Sequence, residues 1–243
     1  MSKPALSIIA VQEYSKTKIG VLFIMETMNK IIKWIPQLLA GARITILLTL
    51  CSVVAGLIIS IFLALGTLSK NKIIRNFCKG YVFFFRGTPL LMQLYFVYYG
   101  LPQISRALTI NNQFLAAFIA FGLNSSAYCC EIIRAAIQSI DKGQFEAGKV
   151  LGLNYFQTMR LVILPQSIRR LIPPVGNEFI MMLKDASLVS LIALADITKV
   201  TRSIQSSTAS SMVYIPAMIL YLIITAVFTF VFHVLEKKHS IYE

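Results

Sequence analysis

The sequence predicts an all-α membrane protein, a polytopic bundle of about five transmembrane helices in a single domain. Three observations carry that expectation. Of 243 residues, 57% are hydrophobic and only 14% charged. Apolar runs recur at the length of a bilayer crossing. One polar, amphipathic insert, residues 141–165, interrupts them. The mean hydropathy of +0.73 points the same way.

Residues 1–36 read as an amino-terminal extension, and residues 37–243 as the membrane domain. Within the extension, Ile19 to Ile35 suits an amphipathic stretch lying on the membrane. A signal peptide fits poorly, because a polar leader precedes the short apolar patch and no small-residue cleavage site follows it. The first crossing is expected over about 38–68: Ile44 to Ser69 carries no charge, and a helix of that length spans roughly 39 Å. Two further charge-free runs, Gly87 to Ser105 and Ala107 to Cys130, predict helices over about 80–100 and 113–137. Arg106, Pro102, Asn111 and Asn112 mark the connection between them. Thr88 followed by Pro89 reads as an N-cap and first helical position. The fourth crossing, about 167–195, carries Glu178, Lys184 and Asp185, and Pro173, Pro174 and Gly176 are expected to break or bend it. The fifth covers about 211–235.

Lysine and arginine placement sets the orientation, since short loops rich in them stay in the cytoplasm. Lys70, Lys72, Arg75, Lys79 and Arg86 follow the first helix, whereas the next connection has Arg106 alone. Five crossings then place the 141–165 insert and Lys237-Lys238-His239 inside and the amino terminus outside. That arrangement leaves Lys3, Lys16, Lys18, Lys30, Lys33 and Arg43 on the side expected to be poor in cations. An added crossing would remove the conflict, but Ile19 to Met25 is too short for one.

The formal net charge of +13 is spread over loops between apolar helices, which suits lipid headgroups and argues against a nucleic-acid partner. Cys51, Cys78, Cys129 and Cys130 lack metal-ligand spacing and read as apolar packing. The chain has no GxxxxGK[ST], HExxH or GxSxG pattern, so it is not expected to be an enzyme, nor to bind a cofactor itself. A transporter without its own phosphate loop needs either an ion gradient or a separate ATPase.

The insert bears on that choice. Asp141 with Gln144 predicts a capping box and a helix starting near Lys142, and Gly152 a left-handed end to it. Such a helix is too short to be stable alone. Asn154 with Gln157 repeats the capping pattern and opens a second piece that runs to Pro165, where the missing N–H should kink the chain. Spacing alone leaves two readings open, a hairpin packed on its own chain or a docking element for a partner.

Glu146-Ala147-Gly148, Gly152 and Leu164-Pro165 resemble the EAA motif of ATP-binding-cassette importer permeases. Its pattern is Glu-Ala-Ala, three residues, Gly, nine residues, Ile, one residue, Leu-Pro; here Gly148 replaces the second Ala and Val162 the Ile. Further segments are similar to the polar amino-acid uptake permeases: Arg86-Gly-Thr-Pro-Leu-Leu-Met-Gln93, Tyr98-Tyr-Gly-Leu-Pro102, Asn124-Ser-Ser-Ala-Tyr128, Glu131-Ile-Ile-Arg134, Gly176-Asn-Glu-Phe179 and Lys184-Asp-Ala-Ser-Leu188. The likeness runs from Gln37 onward. It implies an importer in the inner membrane of a prokaryote, with two permease subunits as a homo- or heterodimer, two ATPase subunits holding ATP and Mg, and an extracytoplasmic solute-binding protein delivering an amino acid. The resemblance makes Glu146, Ala147, Gly148, Gly152, Leu164 and Pro165 the ATPase-coupling residues of a cytoplasmic coupling helix between the third and fourth crossings. The nearest alternative is a permease for another small polar solute; an ion-gradient-driven secondary transporter is less favoured, because no internal repeat is visible in the sequence.

Polar groups inside the membrane are costly and tend to line a substrate path. Asn124, Tyr128 and Glu131 share one face of the third helix, with Ser125 beside them, and Glu178 and Asp185 share a face of the fourth. Asn177 and Met181 complete the expected path, Met181 as adaptable apolar wall. A bound amino acid presents an ammonium and a carboxylate, and Glu178 is the first candidate for the ammonium or a cationic side chain. Pairing remains open for these acids: Glu131 and Arg134 are spaced to pair with each other, and Lys184 and Asp185 to join salt bridges between helices.

Overall fold

A computed structural model describes residues 3–239, with side chains for residues 25, 26 and 28–238. Ten α-helices make the described chain: α1 Lys3–Thr67, α2 Lys72–Gly87, α3 Leu90–Tyr95, α4 Leu101–Ile104, α5 Gln113–Gln138, α6 Lys142–Val150, α7 Tyr155–Thr158, α8 Leu164–Asp185, α9 Ile197–Thr208 and α10 Tyr214–His239. Among the described residues three helical stretches are long and apolar enough to cross a membrane, Met28–Thr67, Gln113–Gln138 and Ser211–Lys238.

The bundle is organised around α5, which packs along α1 and also against α8 and α2. Its inward face is built from small residues, Ala116, Ala117, Ala120, Gly122, Ser125 and Ser126 among them, all buried. Small side chains let helix backbones approach closely where lipid supplies no hydrophobic drive between helices. One core cluster joins Leu48 and Val53 of α1 to Phe121 of α5, Phe179 of α8 and Val189. A second joins Trp34 and Leu38 of α1 to Ile204 of α9 and to Ala217 and Ile224 of α10. A third joins Leu63 and Ala64 near the end of α1 to Cys78 and Val82 of α2 and Cys130 of α5. The middle of α1 and the early turns of α10 therefore meet toward one end of the bundle, and the later turns of α1 and α5 toward the other. Helix α8 runs back between them, with Gly176 against Phe232 of α10.

Several expectations are corrected here. The first helix does not begin near residue 38. It runs unbroken from Lys3 through Pro36 to Thr67, because Trp34 and Leu38 bury into one cluster across the proline. The expected surface stretch Ile19–Ile35 and the cations Lys3, Lys16 and Lys18 involve side chains outside the described residues. The second helix is not continuous over 80–100: α2 ends at Gly87, Thr88 is extended (φ −114°, ψ 144°), and the chain restarts at Leu90. Residues before proline are pushed out of the helical region, so Pro89 makes the break. Thr88 consequently caps nothing at α3; its hydroxyl donates back to the carbonyl of Phe84 at 2.8 Å.

The fourth element also departs from expectation. Pro173 and Pro174 lie inside an uninterrupted α8, and the break falls instead after Asp185, where a 3₁₀ segment Ala186–Ile192 ends at a left-handed Ala193 (φ 63°). Helix α9 was not expected; Asp196 caps it, accepting from the backbone of Thr198 at 2.9 Å and Lys199 at 2.8 Å. A 3₁₀ turn, Ser211–Val213, precedes α10, which outlasts the expected end at 235. Proline is accommodated twice by a π-helical turn just before it. Leu101 N–H donates to Phe96 O ahead of Pro102, and Leu164 N–H to Met159 O ahead of Pro165. The wider turn makes room for the ring that would crowd a normal i−4 carbonyl. The segment after α7 therefore runs on into α8 past Pro165.

Helices α6 and α7 form the hairpin at the end of α5. Asp141 caps α6 by accepting from Gly143 N–H at 2.6 Å. Gln144 does not complete the expected box, because its carbonyl accepts from Gln166 instead. The far end is a Schellman turn: Leu153 N–H donates to Gly148 O, Gly152 N–H to Lys149 O, and Gly152 has φ 76°. Asn154 and Gln157 do form a reciprocal capping box. Gly148 is buried against Thr158, where a Cβ would stand 2.7 Å from both Thr158 branches. Close approach at Gly148 therefore serves the hairpin itself, which corrects its assignment to a partner-facing surface.

Two effects oppose each other in Gly148→Ala: helix propensity favours alanine by about 1 kcal/mol, while overpacking costs about 1–3 kcal/mol. Buried, β-branched Thr158 has little room to turn away, so the clash wins. Gly148→Ala should lower the thermal unfolding midpoint of the detergent-solubilised protein, and adding Thr158→Ala should recover most of the loss.

Candidate functional site

The break at Thr88-Pro89 leaves backbone carbonyls without helical partners beside the bundle core, and two buried amides take them up. Gln93 Nε2 donates to Phe85 O at 3.0 Å, Thr88 O at 3.1 Å and Thr88 Oγ1 at 2.7 Å. Asn124 Nδ2 of α5 donates to the same Phe85 carbonyl and to Gln93 Oε1, both at 3.0 Å. Every one of these bonds satisfies a group that would otherwise be costly in an apolar setting. The clamp fixes where α2 ends, and Arg86 sits within it.

Arg86 reaches toward α5. Its guanidinium carbon lies 5.3 Å from the centre of the Tyr128 ring, within cation–π range. Its Nη1 is 3.6 Å from Glu131 Oε2. Glu131 is held more tightly by Arg134, with Nη2–Oε2 at 2.6 Å and Nε–Oε1 at 3.1 Å. The expected Glu131–Arg134 pair therefore forms, with Arg86 as a third, weaker member.

On the other side of Arg86 lies a cavity of about 450 Å³ between the break, α5 and α8. Arg86, Asn124, Tyr128, Glu178, Met181 and Asp185 all line it. Glu178 is buried to 6% exposure and accepts from Ser125 Oγ at 3.1 Å, the one hydrogen bond of its carboxylate among the described residues. Asp185, two turns on, is exposed at the same cavity, and neither it nor Lys184 forms an ion pair among the described residues. The structure thus brings together five of the seven residues expected on the substrate path, with Ser125 directly behind Glu178. Asn177 stands apart: one position from buried Glu178, it is exposed and lines none of the cavities described here. A step of one residue turns a side chain through about 100° on a helix.

Arg86 is the residue sequence reasoning missed, having been counted among the loop cations that follow the first helix. The signal was present in a lone arginine at the head of a charge-free run, a position that needs a buried or bridging use. Buried Asp196 was missed too, and its capping of α9 accounts for it.

At the end of the hairpin, Glu146 and Ala147 are exposed, as are Gly152, Leu164 and Pro165. Around them stand bare apolar side chains: Val150 is 88% exposed, Leu151 77% and Phe156 70%. Among the described residues no group of three or more His, Cys, Asp or Glu is arranged to hold a metal.

A bundle of membrane-length helices with a capped hairpin at one end and a charged cavity within defines a membrane transport component. Residues 56–240 match the family described as binding-protein-dependent transport system inner membrane component, and the chain belongs to it. It is 38% identical over 205 residues to the nopaline transport system permease protein of Agrobacterium fabrum, covering 81% of this chain and 85% of that one. It is 40% identical over 205 residues to the L-cystine transport system permease protein TcyB of Bacillus subtilis, covering 84% and 86%. It is 35% identical over 208 residues to the glutamine transport system permease protein GlnP of Escherichia coli, covering 85% and 94%. Among solved structures, an amino acid ABC transporter crystallised with histidines matches at TM-score 0.82 and 39% identity, over 86% of this chain and 97% of that one. The MetNI methionine transporter shares the fold at TM-score 0.71 and 17% identity, over 85% and 97%.

Asn124→Ala removes a donor shared by Phe85 and Gln93 and should cost about 1–3 kcal/mol of stability. Asn177→Ala, on the exposed face, should stay within about 0.5 kcal/mol. Unfolding midpoints of the two variants, measured side by side, check this.

Proposed function

We propose that the chain forms the membrane path of an ATP-driven importer for a polar amino acid. The observation that carries the reading is the cavity itself, where one guanidinium and two carboxylates converge. Arg86 suits the carboxylate of a zwitterion, and Glu178, held by Ser125, suits its ammonium. Asp185 extends the acidic side and favours a substrate whose side chain is polar or cationic. The relatives carrying nopaline, cystine and glutamine in their names support the class without selecting one member.

Energy is assigned to a separate ATPase that binds ATP and Mg, docking on the bare apolar tip of α6 and α7. Glu146 is exposed at the middle of α6, where its carboxylate can form an ion pair across the interface. Ala147, Gly152, Leu164 and Pro165 complete that surface, while Gly148 holds the hairpin rigid from within. A second permease chain, identical or related, and an extracytoplasmic solute-binding protein complete the complex in a prokaryotic inner membrane. The hairpin faces the cytoplasm, with the carboxyl terminus on its side and the amino terminus opposite. The end of the bundle that carries the hairpin also carries Lys70, Lys72, Arg75 and Lys79, as retained cytoplasmic loops require.

The test is ATP-dependent uptake of a labelled amino-acid panel into proteoliposomes holding the chain with its ATPase and binding protein. Uptake of at least one polar amino acid is expected; uptake of a different polar solute and no amino acid would overturn the reading. In that system Glu178→Gln should raise the half-saturation concentration about tenfold or more, the loss expected for one charged hydrogen bond. Glu146→Lys should leave the permease folded yet reduce uptake and substrate-stimulated ATP hydrolysis together.

A further inference from the structure

A second cavity, about 530 Å³, opens between α2 and α5 on the far side of Arg86 from the substrate cavity. Three cations line it, Lys79, Arg86 and Arg134, against the single carboxylate of Glu131. Glu131 is already shared between Arg134 and Arg86, at 2.6 Å and 3.6 Å. Lys79 is exposed and has no hydrogen-bond or ion-pair partner among the described residues. The cavity therefore carries an excess of positive charge with one donor group wholly free.

Its remaining wall is apolar and faces outward. Phe83 is 81% exposed and Leu68 47% exposed, with buried Val82 behind them. Depth is fixed by the elements that reach it: Thr67 is the last residue of the α1 span and Gln138 the last of the α5 span. The cavity thus lies where apolar helix gives way to polar loop, at the end of the bundle that carries the α6–α7 hairpin. A cationic pocket at headgroup level, bordered by exposed aromatic and aliphatic side chains, matches a ligand with an anionic head and an acyl tail.

We propose that this cleft binds the phosphate headgroup of an anionic phospholipid, with Lys79 toward the phosphate beside the Arg134–Glu131 pair and an acyl chain along Phe83 and Leu68. A soluble phosphate would satisfy the cations but leave the apolar wall bare, which is why lipid is the source assigned. Because Arg86 borders both this cleft and the substrate cavity, lipid there would bear on the same side chain that faces substrate. The inference goes beyond the transport reading and does not depend on which solute is carried.

The experiment is native mass spectrometry of the purified full-length permease titrated with phosphatidylglycerol, with phosphatidylcholine of the same acyl chains, and with glycerol 3-phosphate. Phosphatidylglycerol should give a discrete adduct that survives activation energies stripping phosphatidylcholine. Lys79→Gln should weaken that adduct about fivefold, the loss expected for one lysine at an anionic surface. Phe83→Ser should weaken it while sparing the headgroup charge. Arg106→Gln, in the connection between α4 and α5, should leave it unchanged. Equal retention of the two lipids, or equal weakening by Lys79→Gln and Arg106→Gln, would overturn the proposal. Binding of glycerol 3-phosphate as tight as that of the lipid, with the same Lys79 dependence, would overturn the lipid assignment in favour of a small-phosphate site.

Discussion

The break between α2 and α3 is the constraint on which the rest of the site depends. Pro89 cannot donate and forces Thr88 out of the helical region, so Phe85 and Thr88 present carbonyls to the bundle core. Gln93 and Asn124 answer them with amide donors at 3.0–3.1 Å, and in doing so tie α2, α3 and α5 into one unit. The clamp ends α2 one residue after Arg86. From there the guanidinium can stand over Tyr128, reach Glu131 and still border the cavity that holds Glu178 and Asp185. Without the break, α2 would continue past the cavity mouth and Arg86 would be one more cation on a helix side.

Charge placement follows from that geometry. Glu178 is buried on α8 with one hydroxyl donor, Ser125, beneath it, and its second carboxylate oxygen accepts no hydrogen bond among the described residues. Glu131, by contrast, is fully engaged by Arg134 and Arg86. The two acids therefore differ in availability as well as in burial, Glu178 being buried and Glu131 half-buried. A paired carboxylate holds helices; a half-satisfied one facing a cavity is available to a ligand. The same contrast separates Arg134, committed to Glu131 and Gln138, from Arg86, whose contacts at 3.6 Å and over a ring are loose enough to share.

Much of this was legible in the sequence, and the failures have physical causes. Helix α5 was placed within a residue because a charge-free run, the Asn111-Asn112 connection before it and a following polar segment all agreed. The hairpin was legible at the level of its caps, since Asp141, Gly152, Asn154 and Gln157 act through local backbone bonds. Gly148 was misread because its close contact, Thr158, lies across a turn, and spacing along one helix says nothing about the facing strand of chain. Pro173 and Pro174 were expected to break α8, yet packing of Phe179, Met182 and Leu183 on either side of the bundle keeps it continuous. Pro89 was read as a helix start, and α3 does begin one residue after it; what stayed hidden is that the same proline ends α2, with Asn124, distant in the chain, donating to the freed Phe85 carbonyl. Arg86, the residue that borders both cavities, was hidden for the same reason.

The measurement that bears most directly on this account is a cryo-electron microscopy map of the complete complex loaded with its translocated solute. The account predicts solute density in the cavity between the α2–α3 break and α8, with its anionic group toward Arg86 and its cationic group toward Glu178. Density lodged elsewhere in the bundle, or a solute in this cavity touching neither Arg86 nor Glu178, would contradict it.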